Sequence, residues 1–320
     1  MKRIVQCVPN FSEGKDKEKI DNIIAPLKNQ KGFKLISAEA DKDYNRTVVT
    51  LIGDPEDMIE PLLEFFRAAA KHIDMNTQIG EHPRMGAVDV CPFIPIQNIT
   101  MDECVDIAKK LGNEVYKRLN IPVFLYAEAQ EADYRKELPA IRKGEFEEMK
   151  TKIKETKWHP DFGKSEIHPT FGVVAIGARL PLIAYNIDLD TDDQKKANAI
   201  AKAIRHSSGG FRYVQAGPAF LEQQGHMQVT MNILDFKKNP IYRIFETVAM
   251  EAKRYQIKIK SSEVVGLIPM DALKNSIRYY DLVHHESYDK NMSIETASEK
   301  AIKYLKLRDF DQKKIIEANL

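Results

Sequence analysis

The chain has 320 residues, 43% of them hydrophobic and 30% charged, which excludes disordered, collagenous and membrane-embedded classes and leaves room for two cores, since single cores stop growing near roughly 250–300 residues. Forty-eight Lys and Arg against 47 Asp and Glu leave a net charge of +1. No nucleic-acid partner and no membrane is therefore expected, and any ligand must be recognised locally.

In chain order, residues 4–9 read as a strand, with no secretory leader before them, so a cytoplasmic protein is expected. Ile20, Ile23, Ile24 and Leu27 then fall at helical spacing within residues 15–29, and residues 33–38 and 46–52 read as two further strands. Asp54-Pro55-Glu56-Asp57 opens a helix that runs to about Ile73, with Pro early in the first turn and acids at the positive dipole end. Residues 88–96 supply a strand, residues 100–119 a helix opened by Thr100 and Glu103, and residues 123–127 a strand. After a charged stretch, residues 131–157, the order repeats. Strands are expected over 182–187, 213–216, 228–234 and 264–268, helices over 192–205 and 241–255, and a last helix over 293–306. The longest apolar run, residues 173–185, holds Arg179 and Pro181 and falls short of the ~20 residues a membrane helix needs.

This pattern predicts an α+β protein of two ferredoxin-like, split-βαβ subdomains in tandem, residues 1–180 and 181–320, the second with a C-terminal helical extension. Cys7, Cys91 and Cys104 are odd in number, lack a CxxC pair and sit mostly in apolar runs, so they read as buried reduced thiols.

Chemistry concentrates in Gly80-Glu81-His82-Pro83-Arg84-Met85-Gly86. Pro83 restricts His82 to extended angles, and an imidazole titrating near ~6.5 can exchange protons at neutral pH. The alternative is a loop histidine bonded to backbone. Arg46 and Arg84 are candidate clamps for a carboxylate, unless each pairs with a local acid such as Asp43 or Glu81. Glu39, at a strand end, either faces the same cleft or is solvated. Trp158-His159-Pro160-Asp161-Phe162-Gly163 and His168-Pro169-Thr170-Phe171-Gly172 form an aromatic loop at the boundary of the halves, suited to a flat heterocycle or serving only as a linker. No metal site is expected, since His82, His159 and His168 lack ligand spacing. His284-His285 reads as surface, and Ser207-Ser208-Gly209-Gly210 lacks the Lys of a phosphate loop.

The strings Cys7-Val8-Pro9-Asn10-Phe11-Ser12-Glu13-Gly14, Asn45-Arg46-Thr47, residues 80–86 continuing through Asp89-Val90-Cys91-Pro92-Phe93-Ile94-Pro95, Asp161-Phe162-Gly163, and Gln228-Val229-Thr230 with Asn232 closely resemble glutamate formiminotransferase, the transferase part of formiminotransferase-cyclodeaminase. The likeness runs from about residue 3 to about residue 280. It implies two ferredoxin-like subdomains enclosing a tunnel, a homodimer, and transfer of a formimino group from N-formiminoglutamate to tetrahydrofolate as co-substrate, without a metal. On this resemblance the catalytic histidine is His82 and the family's arginine is Arg46; the chemistry then gives Glu39 the task of favouring a cationic formimino group and Arg46 with Arg84 that of seating the donor's two carboxylates. Folate falls on Gly163, Lys164, Ser165, Glu166, Ile167, His168, Pro169, Thr170, Phe171 and Gly172. Glu39 stands where the animal enzyme has an aspartate, and Phe171 where it has a tryptophan. No cyclodeaminase portion precedes Leu320, so the second reaction is expected of another protein. Within the same resemblance, N-formylglutamate is an alternative donor, and a non-catalytic folate binder an alternative role.

Overall fold

The computed structural model describes residues 2–42, 44–222 and 224–320, arranged as two compact units, Met1–Arg179 and Leu180–Leu320. Each is a mixed α/β unit built on its own sheet.

The first unit contains, in order, β1 (Ile4–Cys7), β2 (Asn10–Phe11), α1 (Lys17–Ile24), β3 (Phe33–Asp41), β4 (Arg46–Gly53), α2 (Pro55–His72), β5 (Val88–Gln97), α3 (Met101–Leu119), β6 (Val123–Ala127), α4 (Leu138–Arg142), α5 (Glu145–Lys152) and β7 (Val174–Ala178). The helix starts obey local chemistry. Asp16 and Asp54 accept backbone N–H bonds at the starts of α1 and α2, and Thr100 and Glu103 form a reciprocal capping box on α3. In the sheet β4 lies between β3 and the β1–β2 segment, which also pairs with β5, and β7 runs parallel between β5 and β6. Period-two alternation sends Val5, Cys7, Val49, Leu51 and Phe93 to one face, where Leu62, Phe65 and Phe66 of α2 and Leu111 of α3 cover them. On the other face Ile141 and Met149 of α4 and α5 pack on Val90, Phe124, Tyr126 and Ala175.

Three elements here differ from the sequence expectation. The charged stretch 131–157 carries α4 and α5, because one apolar residue per turn, Ile141, Phe146, Met149 and Ile153, suffices to anchor helices this short. Residues 173–185 hold two strands, one in each unit, and the first of them, β7, was not anticipated.

The second unit contains β8 (Ile183–Leu189), α6 (Gln194–Ile204), β9 (Val214–Leu221), β10 (His226–Ile233), α7 (Ile241–Arg254), β11 (Ile259–Val265), α8 (Met270–Val283) and α9 (Ile294–Leu305). Its antiparallel sheet has the order β11-β8-β10-β9. Tyr185, Ile187, Val229, Met231 and Val264 meet the helices in one core. The opposite face is polar: fully buried Asp188 accepts hydrogen bonds from Gln228 Nε2 at 2.8 Å, Ser261 Oγ at 2.6 Å and Arg308 Nε at 2.8 Å. The strand expected over 264–268 is β11, five residues earlier at its start, because its polar residues are buried by bonding rather than by apolar contact: Ser262 Oγ donates to Leu305 O. Helix α8 was also not anticipated. Among the described residues no helix is long and apolar enough to cross a membrane.

Candidate active site

The tip of β4 and the loop preceding β5 are tied together by Asn45. Its left-handed backbone (φ 48°) turns the chain into β4, its Oδ1 accepts from Gly14 N at 2.9 Å, and its Nδ2 donates to Ile79 O at 2.7 Å. His82 N donates to Tyr44 O at 3.4 Å. The next residue, Arg46, opposes Asp41 across the β3–β4 ladder while Glu39 opposes Val48. The register therefore puts Glu39, Asp41, Arg46 and Val48 on the sheet face turned away from α2. Glu39 is exposed there.

Arg46 Nη1 reaches His82, 3.4 Å from Nδ1 and 3.5 Å from Nε2. The guanidinium also lies over the Tyr44 ring, 5.7 Å from its centroid, and Tyr44 meets the His82 ring edge-on at 6.4 Å. Burial, then the Arg46 and Arg142 charges, push the His82 pKa down to about 3. Arg46 is itself lowered by burial and by Arg142, and its buried Nε has no hydrogen-bond partner among the described residues. The result is a partly desolvated, neutral imidazole flanked by the Arg46 and Arg142 charges, a setting that favours an anion over a further cation. An ordinary titration near neutrality, expected from sequence, does not apply to the free protein. Asp43, the acid considered for Arg46, lies outside the described residues.

Arg84, expected to help seat a substrate carboxylate, is engaged within the protein. Its Nε donates to Gln78 Oε1 (2.9 Å), Nη1 to Glu145 Oε2 (2.8 Å) and Glu147 Oε2 (2.9 Å), and Nη2 to Gln78 O (3.1 Å) and Glu147 Oε1 (2.8 Å). These bonds use its whole donor set. The acids are Glu145 and Glu147 of α5, not Glu81.

Residues 163–172 are brought to the His82 loop. Met75 N donates to Thr170 O (2.8 Å), Ala87 N to Phe171 O (2.8 Å), Val173 N to Met85 O (3.1 Å) and Asn76 Nδ2 to Pro169 O (2.9 Å). The two motifs thus form one zipped pair of loops. Contact this close needs glycine: a Cβ at Gly86 would lie 2.1 Å from Val173 O, and one at Gly172 (φ +86°) 2.2 Å from Met85 O. Lys164, Glu166 and Pro169 are exposed, whereas Gly163, Ser165, Ile167, His168 and Thr170 are half-buried. His168 Nδ1 accepts from Phe171 N at 3.1 Å, and burial lowers its pKa. Phe171, expected in the folate loop, points inward. Its side chain is fully buried against Phe66, ring centroids 6.3 Å apart, and offers no face to a ligand. The other aromatics of this stretch also pack inside the first unit, Trp158 against Tyr134 and Phe162 beside Gly112.

Sequence reasoning passed over Asp89, Arg142, Glu145 and Glu147. Asp89 had a signal, a lone acid inside an apolar strand, which must find a partner. It is the extra residue where Asn10 and Phe11 of β2 face Val90 and Val88, so the bulge aims it sideways. Its Oδ1 accepts from Met85 N at 2.9 Å and its Oδ2 from Arg142 Nε at 2.9 Å. The thiols carry no chemistry here: Cys7 and Cys91 are buried with Sγ atoms 3.7 Å apart, burial drives Cys7 well above its ordinary pKa, and Cys104 is pushed up to about 12. Among the described residues no three His, Cys, Asp or Glu side chains gather as a metal site.

Comparison with known proteins follows the same division of the chain. Residues 4–179 match the family model of the formiminotransferase domain, N-terminal subdomain, and residues 184–319 that of the formiminotransferase domain. A Streptococcus pyogenes protein named glutamate formimidoyltransferase is 44% identical over 91% of this chain and 98% of its own length. A Thermoplasma acidophilum protein of the same name is 41% identical over 93% of this chain and 98% of its own. The Sus scrofa formimidoyltransferase-cyclodeaminase is 41% identical over 88% of this chain, which spans 53% of that longer protein. With both halves matched and full-length relatives above the threshold where fold and family travel together, the chain belongs to the formiminotransferase family.

Proposed function

We propose that the protein is a folate-dependent glutamate formimidoyltransferase, moving the formimino group of N-formimino-L-glutamate to N5 of tetrahydrofolate in histidine degradation and releasing glutamate. The observation that carries this reading is a neutral imidazole held against the half-buried Arg46 guanidinium, whose Nε is left without a hydrogen bond, in a chain of this family. We read residues 1–180 and 181–320 as two ferredoxin-like subdomains, supported by the β-α-β-β-α-β order of the second and its strand order β11-β8-β10-β9. Tetrahydrofolate as co-substrate, cytoplasmic setting and homodimeric assembly rest on the family resemblance.

The chemistry assigns each group a task. Attack of N5 on the formimino carbon forms a C–N bond and leaves a proton on N5; collapse of the tetrahedral adduct breaks the bond to the glutamate nitrogen, which must leave protonated. His82 takes the first proton and returns it to the leaving nitrogen, work typically worth about 10²- to 10⁴-fold in rate. Arg46 holds a donor carboxylate. That anion offsets the cationic field on His82 and raises its pKa toward the range in which it can both accept and donate. Glu39, on the face shared with Arg46, favours the cationic form of the formimino group that makes its carbon electrophilic. Residues 163–172 hold the folate through backbone and through Lys164, Ser165, Glu166, Ile167, His168, Pro169 and Thr170, while Phe171 and Gly172 fix the loop from beneath.

The test is turnover of purified protein with tetrahydrofolate and each donor, following glutamate release. The expected outcome is release from N-formiminoglutamate, near-complete loss in His82→Ala, and retained folate binding by that variant. Preference for N-formylglutamate would reassign the donor; folate binding without glutamate release would make the protein a carrier.

A further inference from the structure

Arg84 lies two residues from His82 and is nearly inaccessible, 8% exposed. Beyond its engaged side chain, its backbone is held on both sides: its N–H donates to Glu145 Oε2 at 3.3 Å and its carbonyl accepts from Phe146 N at 2.9 Å. The following residue is tied to the same segment through Asp89, which joins Met85 N to Arg142 at the end of α4. The segment doing the holding is itself stiff. Lys152 Nζ donates to Ile141 O and Lys143 O, both at 2.8 Å, closing the end of α4 against α5, and sits 3.9 Å over the Trp158 ring. Glu145 and Glu147 stand in the first turn of α5, where the dipole already favours acids, so the pair is prepared before the loop docks. A donor carboxylate could reach Arg84 only by displacing one of them.

We propose that Arg84 is a positioning residue which, with Glu145 and Glu147 of α5, locks the 80–86 loop in the conformation that sets His82 against Arg46, and does not itself bind the donor. The inference rests on His82 being the proton relay. It makes the α4–α5 segment a brace for the catalytic loop, and leaves Arg46 as the donor's guanidinium in this loop region.

The test is steady-state kinetics of Arg84→Met, the Glu145→Gln/Glu147→Gln pair, their combination and Arg84→Lys, with folding checked by melting and the His82 ring titrated by NMR. A brace predicts a fall in kcat of about 10²-fold in Arg84→Met, the scale of a misplacement near 1 Å. KM for N-formiminoglutamate stays within about 2-fold, because no bond to the donor is lost. The Glu pair gives the same loss, the combination adds little because both sides break one contact, and Arg84→Lys recovers part of kcat. The His82 pKa rises in Arg84→Met as the ring leaves Arg46. A rise in donor KM of ten-fold or more with kcat kept, alongside a silent Glu pair, would overturn the proposal and return Arg84 to the donor; so would unchanged kinetics in all variants. If Arg84→Met does not fold, the Glu pair decides by the same kcat criterion. If wild-type protein transfers nothing, the function reading fails, whereas the His82 titration still decides whether Arg84 positions the ring.

Discussion

Arg46 Nη1 sits almost equally far from the two ring nitrogens of His82, 3.4 Å and 3.5 Å, so the guanidinium confronts the whole imidazole instead of serving one tautomer. Burial first, and then the Arg46 and Arg142 charges, disfavour an imidazolium there, which is why the ring stays neutral down to a pH of about 3. On the proposed role of Arg46, binding of a donor carboxylate there reverses part of that field. The apparent pKa on the acid side of kcat should therefore lie above that of kcat/KM, since the first reports the loaded enzyme and the second the free one. Coincident values in the two pH profiles would show that no anion docks on Arg46.

The same depressed pKa governs stability in acid. Below about 6.5 the unfolded chain takes up a proton on this histidine that the folded chain refuses until near pH 3, so stability attributable to His82 is full above about 6.5 and falls with pH below it. His82→Gln lacks this liability. Its melting temperature relative to wild type should grow more favourable between pH 7 and pH 4.5; a difference independent of pH would mean that the ring titrates normally.

Glu39→Gln separates catalysis from folding. The side chain is exposed and contributes little to stability, within about 0.5 kcal/mol. On its proposed role beside the reacting carbon, loss of its charge should lower kcat by about 10²-fold, the usual scale for one electrostatic group. Melting and donor turnover measured on one preparation check both halves.

Phe171→Ala should act the opposite way. Removing a fully buried ring from beside Phe66 is expected to cost about 3–5 kcal/mol. Folate affinity of the protein that remains folded should change little. A large affinity loss with unchanged melting would mean that this ring meets the pterin.

How much of this was readable beforehand depends on what buries each residue. Strands such as β4 and β6, filled by Val, Leu and Phe, stood out through composition and turn signals, and capped helices such as α3 announced their starts. The site loop was legible because Gly, His and Pro there have conformational reasons to be together. What escaped were features defined by distant partners. Glu145 and Glu147 look like ordinary acids of a solvated helix until Arg84 is seen between them, and Arg84 looks like a free clamp for the same reason. Ser261 and Ser262 gave no apolar signal, so β11 was placed too late. The inward direction of Phe171 is not legible either, because an aromatic ring in a Pro- and Gly-bounded loop has the same composition whether it faces outward or into a core.

Among the described residues β6 pairs along its length with β7, apart from a single bridge from Val123 to Phe162, and β7 links it to β5 in the sheet. During synthesis β6 leaves the ribosome well before its partner exists, with α4, α5 and the following loop translated in between. The first unit cannot complete its sheet until Ala178 has emerged, and until then β6 remains an unpaired, apolar edge open to chaperones and to aggregation. Nascent chains halted before Val174 should be cut by a protease that spares chains stalled after the whole unit has cleared the exit tunnel.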